Sequence, residues 1–192
     1  MQGSRPMSHI EVFQPISAES LYQIEEVTAD QVQQVFKQAR EAKKRMRQTT
    51  AEQRAAVIRK VLIFLAEKRE WLVDEIARET GRSRLDILVG DIVQMAEDAD
   101  WLARRSPEIL KDKKVPGPIT LIGKKSRIFN EPRGVVLVIS PWNISMQIGL
   151  LASLTAFAAG NAVILKPSEE TPLKNIWKEI LALDPLLQEA IQ

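Results

Sequence analysis

Apolar side chains recur at helical spacing through the first hundred residues and then gather into continuous runs. Val32, Val35, Phe36, Ala39 and Met46 fall on one helical face. Thr28 with Gln31 three residues on predicts the start of that helix as a capping box. Thr50 with Gln53 predicts a second start, followed by a stripe of Ile58, Val61, Leu62 and Leu65 and a further turn carrying Leu72 and Ile76. Gly81, just past Arg78, predicts a stop with a left-handed residue. Ser83 predicts the cap of a third helix running to about Arg105 and ending before Pro107. Trp71 and Trp101 are expected to pack as core aromatics on these helices. Residues 1–27 read as irregular, apart from a short strand over Tyr22 to Val27.

The pattern changes at Ser106. Pro107, Pro116, Gly117 and Pro118 predict a loop, and Ile119 to Ile122 and Lys125 to Asn130 read as two short strands joined around Gly123. Val135-Val136-Leu137-Val138-Ile139 is an unbroken apolar run rich in β-branched residues, as expected of a parallel strand buried on both faces. Met146 to Ala159 predicts a helix that is apolar nearly all round. Its Gly149, Ala152, Ser153, Ala156 and Ala159 would allow close approach to a sheet. Gly160-Asn161 stops it, Ala162 to Leu165 predicts a second buried strand, and Pro172 suits the first turn of a long last helix. The fold class is therefore α/β: N-terminal helices followed by the opening β-α-β-α of a doubly wound, Rossmann-like parallel sheet. The expected divisions are an irregular segment (1–27), a helical region packing on the sheet domain (28–106), a loop with a short strand hairpin (107–132), and the first half of a dinucleotide-binding domain (133–192).

Composition narrows the chemistry. The 192 residues carry 27 basic and 25 acidic side chains, a net charge of +2 that implies no polyelectrolyte partner. Lys111-Asp112-Lys113-Lys114 and Lys124-Lys125-Ser126-Arg127 are the densest basic spots, but no aromatics interleave them, and they read as solvated loops rather than a nucleic-acid face. There is no Cys, so disulfides, thiolate metal sites and a cysteine nucleophile are excluded within these residues. The one His, His9, lies in a polar stretch and reads as a surface residue; no metal site is expected. The most apolar segment is too short to span a bilayer, and no secretory signal is visible, so the expectation is a cytoplasmic protein with no membrane partner.

The stretch from Gly134 to Pro172 carries Ser140-Pro141-Trp142-Asn143 after the first strand and Lys166-Pro167-Ser168-Glu169 after the second. It closely resembles the start of the cofactor domain of NAD(P)-dependent aldehyde dehydrogenases. The helical region is similar to that family more weakly, by pattern and by Arg78-Glu79-Thr80-Gly81. The resemblance implies that Asn143 is catalytic, its amide binding the substrate oxygen where thiolate attack on an aldehyde builds an oxyanion. It implies that Ile139, Ser140, Pro141 and Trp142 lie along the cofactor. Lys166 and Glu169, with Ser168 between them, match the segment that holds the adenosine ribose. A carboxylate can accept from both ribose hydroxyls and repels a 2′-phosphate, so Glu169 points to NAD rather than NADP. Read without the family, Asn143 is a turn residue, Trp142 core filling and Lys166 with Glu169 an exposed ion pair.

Two departures from the family pattern matter. Ile144 and Ser145 follow Asn143 where an aromatic and then Pro are usual, which leaves the aldehyde open. The family's glycine turn, general-base glutamate, nucleophilic cysteine and oligomerisation strand are all expected beyond Gln192, so the chain by itself is expected to be an inactive fragment. The implied function is oxidation of an aldehyde to an acid through a thiohemiacetal, by a homo-oligomer at full length or with a complementary catalytic half. A non-catalytic relative that binds a partner chain, or a decaying gene product, is the competing reading. An unrelated dinucleotide-binding module would need its own phosphate-binding glycine loop, and none is present.

Overall fold

The structure is a computed structural model that describes residues 9–117, 119–121 and 124–192. Two strands precede the first helix, β1 (His9–Phe13) and β2 (Ser20–Glu25), paired antiparallel. The expectation of one strand near Tyr22 is met by β2, but its partner β1 falls in what reads as irregular sequence. A short polar strand with few buried side chains carries little periodic signal, and Val12 is the β1 residue that is buried.

Both capping boxes form. Thr28 opens α1 (Ala29–Met46) and Thr50 opens α2 (Ala51–Glu67), each with reciprocal bonds to the Gln three residues on. α3 (Arg69–Thr80) ends at Gly81, whose φ of 68° is the left-handed stop anticipated. Ser83 caps α4 (Arg84–Ile87), which runs through a π-helical turn, Leu88–Val93, into α5 (Gln94–Ile109). That last helix does not end before Pro107; it runs two residues beyond it. Proline withholds the N–H that would bond the Ala103 carbonyl. Arg59 of α2 meets that carbonyl instead, Nη2 to O at 3.5 Å. Trp71 is half-buried, edge-on to Phe64 with ring centroids 6.2 Å apart. Trp101 is not a core residue; at 52% exposure it lies on the face of α5 opposite Ala99, Leu102 and Ala103.

β3 (Lys113–Val115) and β4 (Ser126–Ile128) pair antiparallel. The two strands expected at Ile119 to Ile122 and Lys125 to Asn130 are thus corrected: Ile119–Leu121 is a 3-10 turn, and the partner of β4 comes from the predicted loop. Pro118, Ile122 and Gly123 lie outside the described residues.

The parallel pair is β5 (Val135–Ile139) and β6 (Ala162–Lys166), in register from Val135 opposite Ala162 to Ile139 opposite Lys166. A single parallel bridge from Val163 to Ile191 starts a third position on the other side of β6. Alternation along these strands divides the core. Val136, Val138, Val163 and Leu165 face the main cluster with α6 (Ser145–Ala158), in which Leu150, Leu154 and Phe157 are fully buried. Each such side chain contributes about 1.5–3 kcal/mol relative to exposure. On the other face Ala39, Ala42 and Val35 of α1 cover Ala162, Ile164 and Val135. Helices on both faces of a parallel pair make this the α/β, doubly wound opening read from the sequence.

β5 is not buried on both faces, however: Leu137 and Ile139 are 53% and 64% exposed, because α1 reaches only the lower part of its face. The start of the α1 stripe overhangs likewise, with Val32 and Phe36 exposed. In α6 the close approach at Gly149 is to the Trp177 side chain rather than to a strand, since a Cβ there would lie 3.0 Å from that ring; Ala152 faces outward. The last helix divides into α7 (Lys174–Leu181) and α8 (Pro185–Ala190). Pro172 lies before α7 because Leu173 takes a left-handed φ of 50°; Pro185 holds the first-turn position instead.

Candidate functional site at the carboxyl ends of the parallel strands

Beyond Ile139 and Lys166 the two strands release the chain into two loops that are bonded to each other. The Ser140 N–H donates to the Lys166 carbonyl at 3.1 Å, which extends the ladder by one bond. The Thr171 hydroxyl donates to the Trp142 carbonyl at 3.0 Å. Between these loops, the β1–β2 hairpin and the end of α3 lies an open cavity of about 780 Å³. Trp142, Asn143, Ser168 and Glu169 line it, with Glu79, Thr80 and Arg82 from the α3 stop and Val12 and Phe13 from β1.

The eight residues singled out in the sequence thus fall at one end of the sheet, although not all face the cavity. Lys166 joins through its ammonium, 2.5 Å from Glu169 Oε2. That bond, the largest influence, holds the Glu169 carboxyl below its ordinary range. Ile139 and Trp142, each 64% exposed, present apolar surface beside the pair. Pro141 is half-buried outside the cavity lining. Ser140 is buried, and its hydroxyl is turned inward beside Gly149 of α6 with no partner among the described residues. The Asn143 side chain is exposed at the cavity, with no protein hydrogen bond among the described residues to hold its amide back from a ligand.

Three buried groups escaped the sequence reading. Glu79, 2% exposed, accepts from the Tyr22 hydroxyl at 2.6 Å and from the Leu173 N–H at 2.8 Å. Burial pushes its carboxyl above the ordinary range, against the pull of those two bonds. Burial and the Glu79 bond in turn push the Tyr22 phenol up. Asp91, 1% exposed on its side chain, takes Arg82 in a two-point pair at 2.8 and 2.9 Å. A signal was present for both acids. Glu79 continues the stripe of Leu72 and Ile76, and Asp91 lies among Ile87, Ile92 and Met95, and a carboxylate on an apolar stripe needs a partner. Arg54 is buried too, donating to the Ala158 carbonyl at 2.9 Å and to the Thr49 carbonyl at 2.8 Å.

The donor set fits a nicotinamide dinucleotide. The Glu169 carboxylate and the Lys166 ammonium offer an acceptor and a donor to a ribose diol; Trp142 and Ile139 offer an apolar wall. Sheet ligands of this kind bind outside the carboxyl ends of the strands. Among the described residues no group of acidic or imidazole side chains could hold a metal, and no helix is long and apolar enough to cross a membrane.

A parallel pair with helices on both faces and a cavity at its carboxyl end is the opening of a doubly wound α/β domain. Residues 2–182 match the family model described as the aldehyde dehydrogenase family, and the chain belongs to that family. It is 38% identical over 145 residues to a Mycobacterium ulcerans protein provisionally named as a succinate-semialdehyde dehydrogenase of the NADP(+) type, covering 76% of this chain and 28% of that protein. It is 31% identical over 177 residues to benzaldehyde dehydrogenase YfmT of Bacillus subtilis, covering 90% and 34%. The solved NAD-dependent benzaldehyde dehydrogenase of Corynebacterium glutamicum superposes with a TM-score of 0.81 at 25% identity, over 98% of this chain and 40% of that one. The chain thus spans roughly a third of the length of these relatives and is similar to their N-terminal part.

Proposed function

We propose that this chain supplies the cofactor-facing strands and the oxyanion donor of an aldehyde dehydrogenase, and that it does not oxidise aldehydes alone. The observation that carries the reading is the convergence of Asn143, Trp142, Ser168 and Glu169 on one cavity at the carboxyl end of a parallel pair. A nicotinamide cofactor, when bound here, would supply the hydride acceptor. Lys166 and Glu169 bind and orient its ribose, and Ile139 with Trp142 shields it from water. Asn143 donates its amide N–H to the substrate oxygen, a bond that strengthens as that oxygen gains charge and so lowers the barrier. The thiolate that attacks the aldehyde has no source in a chain without Cys.

Glu169 supports NAD as the cofactor, because its carboxylate repels a 2′-phosphate. The mycobacterial relatives are named for NADP(+) and the Corynebacterium glutamicum structure for NAD, so relatives of both kinds exist. The relatives named for succinate semialdehyde and benzaldehyde support an aldehyde substrate without selecting one. Leu137 and Ile139 lie exposed on β5, which among the described residues pairs only with β6. This surface supports association with a catalytic remainder, and it is also what a non-catalytic relative would use to bind a partner chain.

The test joins this chain to the part of YfmT that follows the matched segment. Asn143→Ala in the joined enzyme should lower kcat by about a hundredfold to a thousandfold, the range for losing one oxyanion donor, with cofactor affinity little changed. Equal loss of cofactor binding would make Asn143 a turn residue, and a joined protein with no turnover at all would favour the non-catalytic reading.

A further inference from the structure

We infer that Arg82, clamped by Asp91 in the π-helical turn, positions Asn143; the inference rests on the reading of Asn143 as the oxyanion donor. Arg82 is fixed at both ends. Its backbone follows the left-handed Gly81, and its N–H donates to the Thr80 hydroxyl at 3.3 Å, which itself bonds the Ile76 carbonyl at 2.7 Å. Its guanidinium is held in plane by the two-point pair with Asp91. The same Nη1 that meets Asp91 Oδ2 at 2.9 Å reaches the Asn143 carbonyl at 3.4 Å. Among the described residues this is the bond that holds the Asn143 carbonyl. It matters because Ile144, the N-cap of α6, gives this turn no side-chain cap, and its other tie is the Thr171 hydroxyl on the Trp142 carbonyl.

An ion pair with one buried member is a poor way to add stability, since desolvation offsets most of its attraction. π-helical turns recur at functional sites. A pair of this geometry, on such a turn and aimed at the peptide of Asn143, is accounted for by positioning. Arginine is required because its planar fork serves two acceptors at once, whereas a lysine is a point donor.

The measurement is a carbonyl chemical shift. The chain holds two Asn-Ile junctions, Asn143-Ile144 and Asn175-Ile176. Carbonyl-13C asparagine with 15N isoleucine therefore gives two peaks, resolvable even in a large assembly. Arg82→Lys, and Arg82→Met with Asp91→Leu, should move the Asn143 carbonyl upfield or split it, while Asn175 stays in place and melting stays cooperative. The double variant leaves no unpaired buried charge, so it retains the fold if the pair is not structural. An unmoved Asn143 peak overturns the inference, and so does collapse of both peaks in both variants, which would assign the pair to folding.

In the joined enzyme Arg82→Lys should lower kcat about tenfold to a hundredfold, the scale of a small misplacement of a reacting group, with the KM for cofactor nearly constant. Full kcat in Arg82→Lys beside a large loss in Asn143→Ala overturns the positioning role. Full kcat in Asn143→Ala itself would remove the catalytic reading of Asn143, and the carbonyl shift then decides alone whether Arg82 holds that turn.

Discussion

Glu79→Ala should destabilise the chain by about 3 kcal/mol. The carboxylate is 2% exposed and joins three elements: α3, which carries it, β2 through Tyr22, and the left-handed Leu173 that starts α7. Removing it leaves the buried Leu173 N–H unpaired, at about 1–3 kcal/mol, and strips the Tyr22 hydroxyl of a charged acceptor, at about 1 kcal/mol after water replaces it. Glu79→Gln is the control. Its carbonyl can accept from Leu173 and its NH2 can donate to the Tyr22 oxygen, so the loss near neutral pH should stay below about 1 kcal/mol. The pH dependence follows from the raised carboxyl. The folded chain holds this proton at pH values where the unfolded chain has lost it. Stability from the group is therefore full below the ordinary carboxylate pKa of 4.5 and is lost as pH rises through the higher folded value. The wild-type advantage over Glu79→Gln should shrink from pH 4 towards pH 8. Urea unfolding at several pH values, with Tyr22→Phe completing a double-mutant cycle, measures all of this. Glu79→Ala within 1 kcal/mol of wild type, or an advantage that grows with pH, would refute the reasoning.

Mixed with NAD and short aldehydes, the chain alone should form no reduced cofactor above a mock preparation, because it has no thiol. In the joined enzyme, Glu169→Ser should shrink the preference for NAD, mostly through better use of NADP; a wild-type preference for NADP, or a specificity ratio unmoved by the change, would take Glu169 out of the ribose site. Arg54→Met should cost about 3 kcal/mol in urea unfolding with an unchanged slope, since it orphans the Ala158 and Thr49 carbonyls, each within 2.9 Å of the guanidinium, while the Thr49 hydroxyl keeps its bond to the Met46 carbonyl.

Local rules located most of the elements. The capping boxes at Thr28 and Thr50, the stop at Gly81 and the β-α-β run from Val135 to Lys166 are each decided by neighbours within four residues or by an unbroken apolar stretch, and the structure has them where the sequence placed them. The residues at the strand ends were legible for a related reason: a parallel strand fixes where its carboxyl end lies, so Trp142, Asn143, Ser168 and Glu169 had to meet. Contacts between distant residues stayed hidden. Arg59, 44 positions before Ala103, lets α5 continue through Pro107, and Glu79, 94 positions before Leu173, meets the left-handed turn that splits the last helix. β1 is a strand because β2 supplies its hydrogen bonds, and Leu137 is exposed because α1 stops short of it. Periodicity records which face of an element is apolar; what reaches that face, and which buried carboxylate finds its donor, is settled only when the chain closes on itself.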